Sequence, residues 1–316
     1  MPTMKNHIYS TFKLSKSLSQ FQEKVTKLLE LTNISDFDVQ GFKFREEKIR
    51  ESALVLAGEC IALLLNDLSN SQEFLDKAMQ QTQGWWHEKT QRHGYKKRQI
   101  LTVGNVEVSL KLPYVVERGN PPNKNKQYKP EGFCPFLKYL GISESLTPVV
   151  LSTVVQYGAI AGSFEAARTT LIDWGINISL KRIQRLTYYF GQLGIDLRNH
   201  KINDLESGKL SALNTLFNQR VVIAVDGGCT RIRINKKGRR KVKTNRRGFT
   251  GEWIEPKLLT IYTVNEQGKK VKTSDIPITN DGTYEGYEGF LKILEMYLVH
   301  LGISQAKQVL LIADGA

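Results

Sequence analysis

Apolar residues recur at three- and four-residue spacing in the first part of the chain, which predicts helices over residues 15–31, 46–68 and 70–89. In the second of these the repeating positions are Leu54, Val55, Ala57, Ile61, Leu64 and Leu65. We interpret residues 1–93 as a helical N-terminal region. Packing against the rest of the chain or formation of a homodimer is preferred for it over direct contact with DNA.

Alternation of polar and apolar positions follows over residues 100–114, around Gly104 and Asn105, and predicts a β-hairpin. Residues 118–135 contain four prolines among Asn, Lys and Gly, which is typical of a loop. We therefore assign residues 94–145 to a hairpin and a proline-rich linker.

Helical spacing returns over residues 147–159, 163–173 and 179–193. Gly175 is suited to end the second of these helices, and Ser179 to cap the third. Two short helices joined by a turn that contains glycine fit a helix-turn-helix, so residues 146–200 are interpreted as a DNA-binding region.

Three cations stand early on the third helix of this region, where a major-groove reader places its contacts: Lys181, Arg182 and Arg185. The alternative is an ordinary helical pair with a solvated basic face.

The pattern changes again in residues 215–316. An apolar, β-branched run at 221–225 predicts a strand buried on both faces. The following patterns predict strands at 258–264 and 271–278 around a turn at 265–268, a helix at 284–301, and a second buried strand at 308–312. The predicted fold class is α+β and multidomain.

The net charge of the chain indicates which class of partner it binds. The chain has 45 Lys and Arg against 31 Asp and Glu, a formal net charge of +14, which attracts polyanions. Nucleic acid is favoured over an acidic membrane surface because no basic amphipathic helix with a large apolar face stands out.

Cysteine content and apolar runs predict a cytoplasmic protein without a membrane partner. The cysteines Cys60, Cys134 and Cys229 form no CxxC pair, so neither a disulfide framework nor a zinc site is expected. The N-terminus lacks the apolar stretch of a signal peptide, and apolar runs such as residues 61–65 are too short to span a bilayer.

Two aspartates end the two most apolar predicted strands, Asp226 after residues 221–225 and Asp314 after residues 308–313, and each precedes glycine. If these strands are parallel neighbours, both carboxylates project into one crevice at the carboxyl edge of the sheet. Two close anions need a cation between them, so the pair is a candidate site for Mg²⁺ or Mn²⁺, with two ions expected in a complete site. A purely structural turn is the alternative for either aspartate. The nucleotide-binding patterns GxGxxG and GxxxxGK[ST] are absent near them.

A basic segment at residues 230–257 lies between the predicted strands 221–225 and 258–264. It also contains Phe249 and Trp253. Before its first acid, Glu252, it carries Arg231, Arg233, Lys236, Lys237, Arg239, Arg240, Lys241, Lys243, Arg246 and Arg247. We interpret it as an arm that grips DNA phosphates, with some stacking, in preference to a solvated face or flexible tail.

Several of these blocks resemble the insertion-sequence transposases of the Kra group. They are VVIAVDGG, EWIEPKLLTIY, the triplet 281–283 (DGT), YLVHLGI and LLIADGA, with the upstream pattern TP…SFEAA…GINIS before them, and the likeness covers residues 96–316. The resemblance implies an RNase H-like DDE core in which Asp226 and Asp314 match the first two acids. It also implies double-stranded DNA partners, namely element terminal inverted repeats and target DNA, and a bacterial, nucleoid-associated location.

Two departures limit what the resemblance implies. Where related chains often carry a CxxC knuckle, this one offers only Cys134, so no zinc site is expected. The sequence ends two residues after Asp314, before the third acid, a Glu on a later helix. The other acids in this region do not occupy that place, and the last of them is expected to face solvent: Glu252, Glu255, Asp281 and Glu295.

We therefore expect a transposase that is incomplete in this chain and inactive alone. The alternatives are a truncated DNA-binding product that regulates transposition, and an inactive gene remnant. A frameshift near codon 316 is one hypothesis for the early stop.

Overall fold

A computed structural model describes residues 3–30, 38–83, 90–117, 132–236, 238, 248–271, 276 and 278–313. The fold is mixed α+β, with N-terminal helices, several small sheets that include a mixed four-stranded sheet, and later helices. The chain divides into two compact units, Met1–Gly191 and Gln192–Ala316.

The first unit opens with helices, as the apolar spacing predicts: α1 (Thr3–Leu29), α2 (Val39–Asn70) and α3 (Gln72–Thr82). Side-chain caps explain where two of them begin. The Asp38 carboxylate accepts a hydrogen bond from the Gly41 N–H at 2.7 Å, and the Ser71 hydroxyl accepts one from the Phe74 N–H at 3.3 Å. These caps satisfy N–H groups that lack partners in a first helical turn. The predicted extension of the third helix to residue 89 is not tested beyond residue 83, because residues 84–89 lie outside the described part.

The predicted β-hairpin is confirmed and is longer than its alternating core. Strands β1 (Thr90–Leu101) and β2 (Glu107–Glu117) pair antiparallel. Gly104 and Asn105 in the connecting turn have φ of 69° and 57°, the left-handed region that these residue types tolerate. A short strand, β3 (Gly132–Phe133), pairs with β2. Most of the predicted linker, residues 118–131, lies outside the described residues.

Helix α2 packs directly on the turn of this hairpin. The Thr102 hydroxyl donates to the Gly58 carbonyl at 3.3 Å. A Cβ atom at Gly58 would overlap the Val103 carbonyl oxygen, so the absence of a side chain permits the contact. The glycine therefore fixes how closely the helix approaches the strands.

The predicted helices of residues 147–193 are also confirmed. After the short α4 (Pro135–Tyr139), the chain forms α5 (Pro148–Ile160), α6 (Phe164–Asp173) and α7 (Leu180–Glu206). Gly175, with φ of 64°, ends α6 as expected, and its N–H donates to the Ile172 carbonyl at 2.8 Å. The Ser179 hydroxyl accepts from the Arg182 N–H at 3.4 Å at the start of α7. These helices enclose an apolar core that includes Leu146, Val150, Val154, Ala167, Leu171, Ile176, Ile178, Ile183 and Leu186.

By length and composition, helix α2 could cross a membrane. A single helix of this kind is only weakly indicative, because core helices and signal sequences meet the same criterion. In this structure α2 packs on the hairpin through Gly58. The cytoplasmic location and the absence of a membrane partner stay predictions.

The second unit is built on a four-stranded sheet with the order β8-β7-β4-β9. Its strands are β4 (Arg220–Gly227), β7 (Lys257–Val264), β8 (Thr279–Thr283) and β9 (Gln308–Ala313). Strands β4, β7 and β8 pair antiparallel, whereas β9 lies parallel to β4 after the crossover helix α8 (Tyr287–Leu301). Two further strands, β5 (Thr230–Asn235) and β6 (Phe249–Ile254), form a separate two-stranded ribbon.

Helix α8 covers one face of the four-stranded sheet. The core between them contains Val221, Ile223, Leu259, Ile261, Phe290 and Ile293, with Leu216 beside them. Side chains alternate between the two faces of a strand, so the intervening positions of β4 point away from α8.

Two predictions about this sheet were wrong in part. The strand after β7 begins at Thr279, and the described residues of the predicted strand 271–278 (271, 276 and 278) lie outside any strand. The predicted strand at 308–312 exists but is not buried. Its residues Val309, Leu310, Leu311 and Ile312 are 46–62% exposed and do not belong to the core between α8 and the sheet. Strand β9 is the edge strand and pairs only with β4 among the described strands.

Two glycines in helix interiors provide a matched test of the contact between α2 and the hairpin. Gly58→Ala is expected to destabilise the protein by about 1–3 kcal/mol through overpacking against Val103. Gly191→Ala in α7 has open space around the new methyl group and is expected to stabilise by up to about 1 kcal/mol through helix propensity. Urea unfolding followed by circular dichroism measures both. Effects of the same sign would contradict the close packing at Gly58.

Candidate functional site

Asp226 stands near the carboxyl end of β4 on the sheet face opposite α8. Val221 and Ile223 point into the core under α8, and strand alternation directs Asp226 to the other side. The residue is exposed, and its carboxylate has no hydrogen bond or ion pair with the residues that the structure describes. Gly227 and Gly228 follow, and the Gly228 N–H donates to the Pro256 carbonyl at 3.1 Å. The carboxylate is therefore open to a ligand from solvent.

The first and last strands of the sheet are parallel neighbours, as the sequence interpretation required. The register pairs Val225 with Ala313. Asp226 follows Val225, and Asp314 follows Ala313 in the sequence. Asp314 lies outside the described residues, so the pairing of the two carboxylates stays a prediction.

The four other acids considered in the sequence, Glu252, Glu255, Asp281 and Glu295, form no described hydrogen bond or ion pair with Asp226. A Cβ at Gly227 would lie 3.3 Å from the Glu255 carboxylate, but that carboxylate pairs with the Lys257 ammonium at 3.6 Å. Glu252 lies on the ribbon opposite Ile232. Glu295 is exposed on α8, which confirms the expectation that it faces solvent.

Asp281 lies on the α8 face of the sheet, where its carboxylate binds Arg198 and Tyr297. The Arg198 guanidinium donates to its Oδ1 at 3.0 Å and to the Gly282 carbonyl at 3.1 Å, while the Tyr297 hydroxyl donates to its Oδ2 at 2.8 Å. Burial, together with the hydrogen bond to Asp281, raises the pKa of Tyr297 well above its usual range. Asp281 pairs in register with the buried Leu259, and Asp226 with the exposed Leu258, so the two carboxylates point to opposite faces.

In the described ranges, no group of three or more His, Cys, Asp or Glu side chains is arranged to hold a metal ion. Asp226 supplies one hard oxygen ligand of the type that Mg²⁺ and Mn²⁺ prefer. The described residues alone therefore do not complete a site for either ion.

The first and last parts of the predicted basic arm form the strands β5 and β6 of the two-stranded ribbon. Arg231 and Arg233 are exposed on β5, and Lys236 follows directly after it. The sequence interpretation missed these strands, although the alternation in TRIRIN was a local signal for them. The other predicted contacts lie outside the described residues: Lys237, Arg239, Arg240, Lys241, Lys243, Arg246 and Arg247.

Two of the three predicted cations on α7 are held by a loop of the first unit. The Arg185 guanidinium donates to both carboxylate oxygens of Glu144, at 2.6 and 3.2 Å, and the Arg182 guanidinium donates to the Glu144 carbonyl. Glu144 and Ser145 have φ of 54° and 58°, so this loop is in the left-handed region where non-glycine residues are uncommon. Lys181 is exposed.

No protein-family model matches the chain, and no curated protein matches it.

The largely buried pair of Arg198 and Asp281 is expected to contribute more to stability than the exposed pair of Lys292 and Glu206. The side chains of the first pair are 14% and 18% exposed, and those of the second 58% and 50%. Asp281→Asn leaves a buried guanidinium without its counter-charge and is expected to cost about 3–5 kcal/mol. Glu206→Gln is expected to cost at most about 1 kcal/mol. Chemical unfolding of both variants measures the difference, and equal losses would contradict a structural role for Asp281.

The ion pair between Glu144 and Arg185 predicts a loss of stability in acid. Hydrogen bonding to Arg185 lowers the pKa of Glu144 below its ordinary value of 4.5. The stabilisation is therefore complete above the unfolded-state pKa and is lost as pH falls through the lower folded-state pKa. Melting temperatures of the wild type and Glu144→Gln, measured from pH 7 to pH 3, are expected to converge at the acid end. A constant difference across this range would contradict the prediction.

Proposed function

We propose that this chain is a DNA transposase of the insertion-sequence type, whose second unit is an RNase H-like DDE core. The observation that carries the proposal is the parallel pairing of β4 and β9, which places Val225 opposite Ala313. Asp226 and Asp314, the residues that follow them, are the first two acids of the proposed site. The resemblance to transposases of the Kra group implies the same two residues.

The arrangement of the sheet supports the RNase H-like assignment. Three antiparallel strands, a crossover helix and a parallel strand beside the first strand follow one another along the chain. The sequence predicted this order for the core, although the third strand lies at Thr279–Thr283 and not at 271–278, and β5 and β6 between the first two strands were not predicted. In an open α/β sheet, the carboxyl ends of adjacent parallel strands form the usual position of a site.

The proposed cofactor is Mg²⁺ or Mn²⁺, with two ions in a complete site, held in part by Asp226 and Asp314. Such ions lower the pKa of a bound water or 3′-hydroxyl and stabilise the leaving oxygen in an in-line attack on phosphate. Asp226 suits the role because its carboxylate is exposed and unpaired among the described residues. Asp226 lies shortly before the exposed Arg231 and Arg233 of β5 in the sequence. The proposed metal ligand and the proposed phosphate contacts are therefore close together along the chain.

The proposed substrate is double-stranded DNA, at element terminal inverted repeats and at the target. The net charge of +14 favours association with DNA in a bacterial cytoplasm, on the nucleoid. The proposed contact surfaces are the ribbon and the helices α6 and α7, which we interpret as a helix-turn-helix. Lys181 is a candidate for phosphate or base contact, while Arg182 and Arg185 would have to leave Glu144 to reach DNA.

A second candidate function is DNA binding without strand transfer, in which the chain occupies element ends and regulates transposition. The observation that favours it is the exposed basic surface, Arg231 and Arg233 on β5 and Lys181 on α7, which binds DNA without requiring a metal site. The two functions share the DNA-binding surfaces and differ in the metal site.

Titration of Mn²⁺ into the full chain is expected to separate these functions. If Asp226 and Asp314 hold the ion, Asp226→Asn and Asp314→Asn each weaken Mn²⁺ binding by more than the about 10- to 100-fold that loss of an outer-shell partner costs. Glu255→Gln is the matched control, because Glu255 is an exposed carboxylate near Gly227 that pairs with Lys257. Affinity for duplex DNA is expected to be unchanged in all three variants when metal is absent.

Equal Mn²⁺ affinity in the wild type, Asp226→Asn and Asp314→Asn would overturn the proposed metal site. Retained DNA affinity in the same experiment would then favour the regulatory function.

A further inference from the structure

One face of the ribbon of β5 and β6 combines arginines with aromatic rings. The antiparallel register pairs Arg231 with Trp253, Arg233 with Gly251, and Asn235 with Phe249. Directly opposed residues share a face of a two-stranded sheet, so the arginines and both rings lie together. The other face carries Ile232, Ile234, Glu252 and Ile254 and no cation among the described strand residues.

The rings stay exposed although the arginines contact them. The Arg233 guanidinium lies 4.0 Å from the centroid of the Phe249 ring, and that of Arg231 lies 6.0 Å from the Trp253 ring. Trp253 is nevertheless 66% exposed and Phe249 54%. Cation–π attraction favours these positions of the guanidinium groups, and more than half of each ring is still open to a ligand.

Gly251 lies between the two rings and makes room for one of the cations. A Cβ atom at this position would overlap the guanidinium of Arg231. The Arg231 side chain can therefore lie across β6 between Phe249 and Trp253. Because Gly251 has no side chain, the Arg231 guanidinium can lie between the two rings, in the spatial order ring, guanidinium, ring.

The spacing of the rings does not match that of adjacent stacked bases. Trp253 lies four positions after Phe249 along β6, a distance of about 13 Å at about 3.3 Å per residue. Stacked bases in a duplex are about 3.4 Å apart along a strand, and their flat faces are covered by neighbouring bases. A ring reaches the flat face of a paired base only at a duplex end or where a base step is forced open, which costs unstacking energy. Unpaired bases leave both faces free and therefore suit two rings at this spacing.

We infer that this face of the ribbon binds single-stranded DNA, with unpaired bases stacked on Trp253 and Phe249 and phosphates held by Arg231 and Arg233. Exposed aromatic rings interleaved with cations are the general means of binding single strands without sequence preference. The inference rests on the proposed DNA function and deepens it by naming the form of DNA that this surface takes, an unpaired segment such as a frayed or cleaved end.

Fluorescence anisotropy with two labelled probes tests the inference on the full chain: a dT20 single strand and a 20-base-pair duplex. The ring variant, Phe249→Leu with Trp253→Leu, keeps the charge of the ribbon. It is expected to lose about 5- to 150-fold in affinity for dT20 per ring, and less than about twofold for the duplex. Tyr287→Leu is the matched control, an exposed aromatic residue at the start of α8, and is expected to bind both probes as the wild type does.

Removing the arginines is expected to give a different signature. Arg231→Gln with Arg233→Gln should weaken both probes and reduce the dependence of affinity on salt concentration, because phosphate contacts release counterions. The ring variant should leave that dependence unchanged. Circular dichroism melts establish that each variant is folded.

A reporter in the unaltered ribbon keeps the test independent of those variants. The chain has four tryptophans, and when the three others are replaced by Phe, the emission of Trp253 should be quenched by dT20 and little changed by the duplex.

Equal losses for both probes in the ring variant, or wild-type binding of dT20 by it, would overturn the single-strand inference and leave the metal site unaffected. Wild-type binding by the arginine variant as well would remove the ribbon from the DNA surface. Failure of the unaltered chain to bind either probe would overturn the inference together with DNA binding itself.

Discussion

The pairing of β4 on both of its edges organises the second unit. Its backbone bonds antiparallel to β7 on one side and parallel to β9 on the other. Because side chains alternate along a strand, these ladders also decide what each face carries. Val221 and Ile223 pack under α8, and Asp226 is left on the opposite face at the strand end. The open carboxylate is thus a consequence of the same ladder that forms the core.

Local patterns predicted the local structure. Three- and four-residue spacing located α2, α5, α6 and α8, and alternation located the hairpin, because these periods follow from backbone geometry. The ribbon was not predicted because the alternation in β5 lies within a run of basic residues, a composition that is also typical of a flexible arm. The exposure of β9 could not be read from its apolar residues, since composition reports what a strand can bury and not what covers it.

Long-range partners lay beyond sequence reasoning altogether. Arg185 and Glu144 are 41 positions apart, and Arg198 and Asp281 are 83 apart. No periodicity connects such residues, because only the tertiary fold brings them together. The position of Asp226 was predicted correctly, because the end of a strand can be recognised from the local sequence. The contacts of Arg182 and Arg185 with Glu144 were not predicted, so a count of basic residues overstates the charge that is free to meet DNA.

The edge position of β9 has a consequence for the proposed carboxylate pair. Its only strand partner among the described strands is β4, and its apolar side chains are largely in solvent, so little beyond the main-chain ladder opposes fraying. Only the fraction of molecules with β9 docked would present two acids at once, and apparent metal affinity would be reduced by that fraction. A cation that bridged the pair would in turn favour the docked population, which couples occupancy of the site to the order of the strand that completes it.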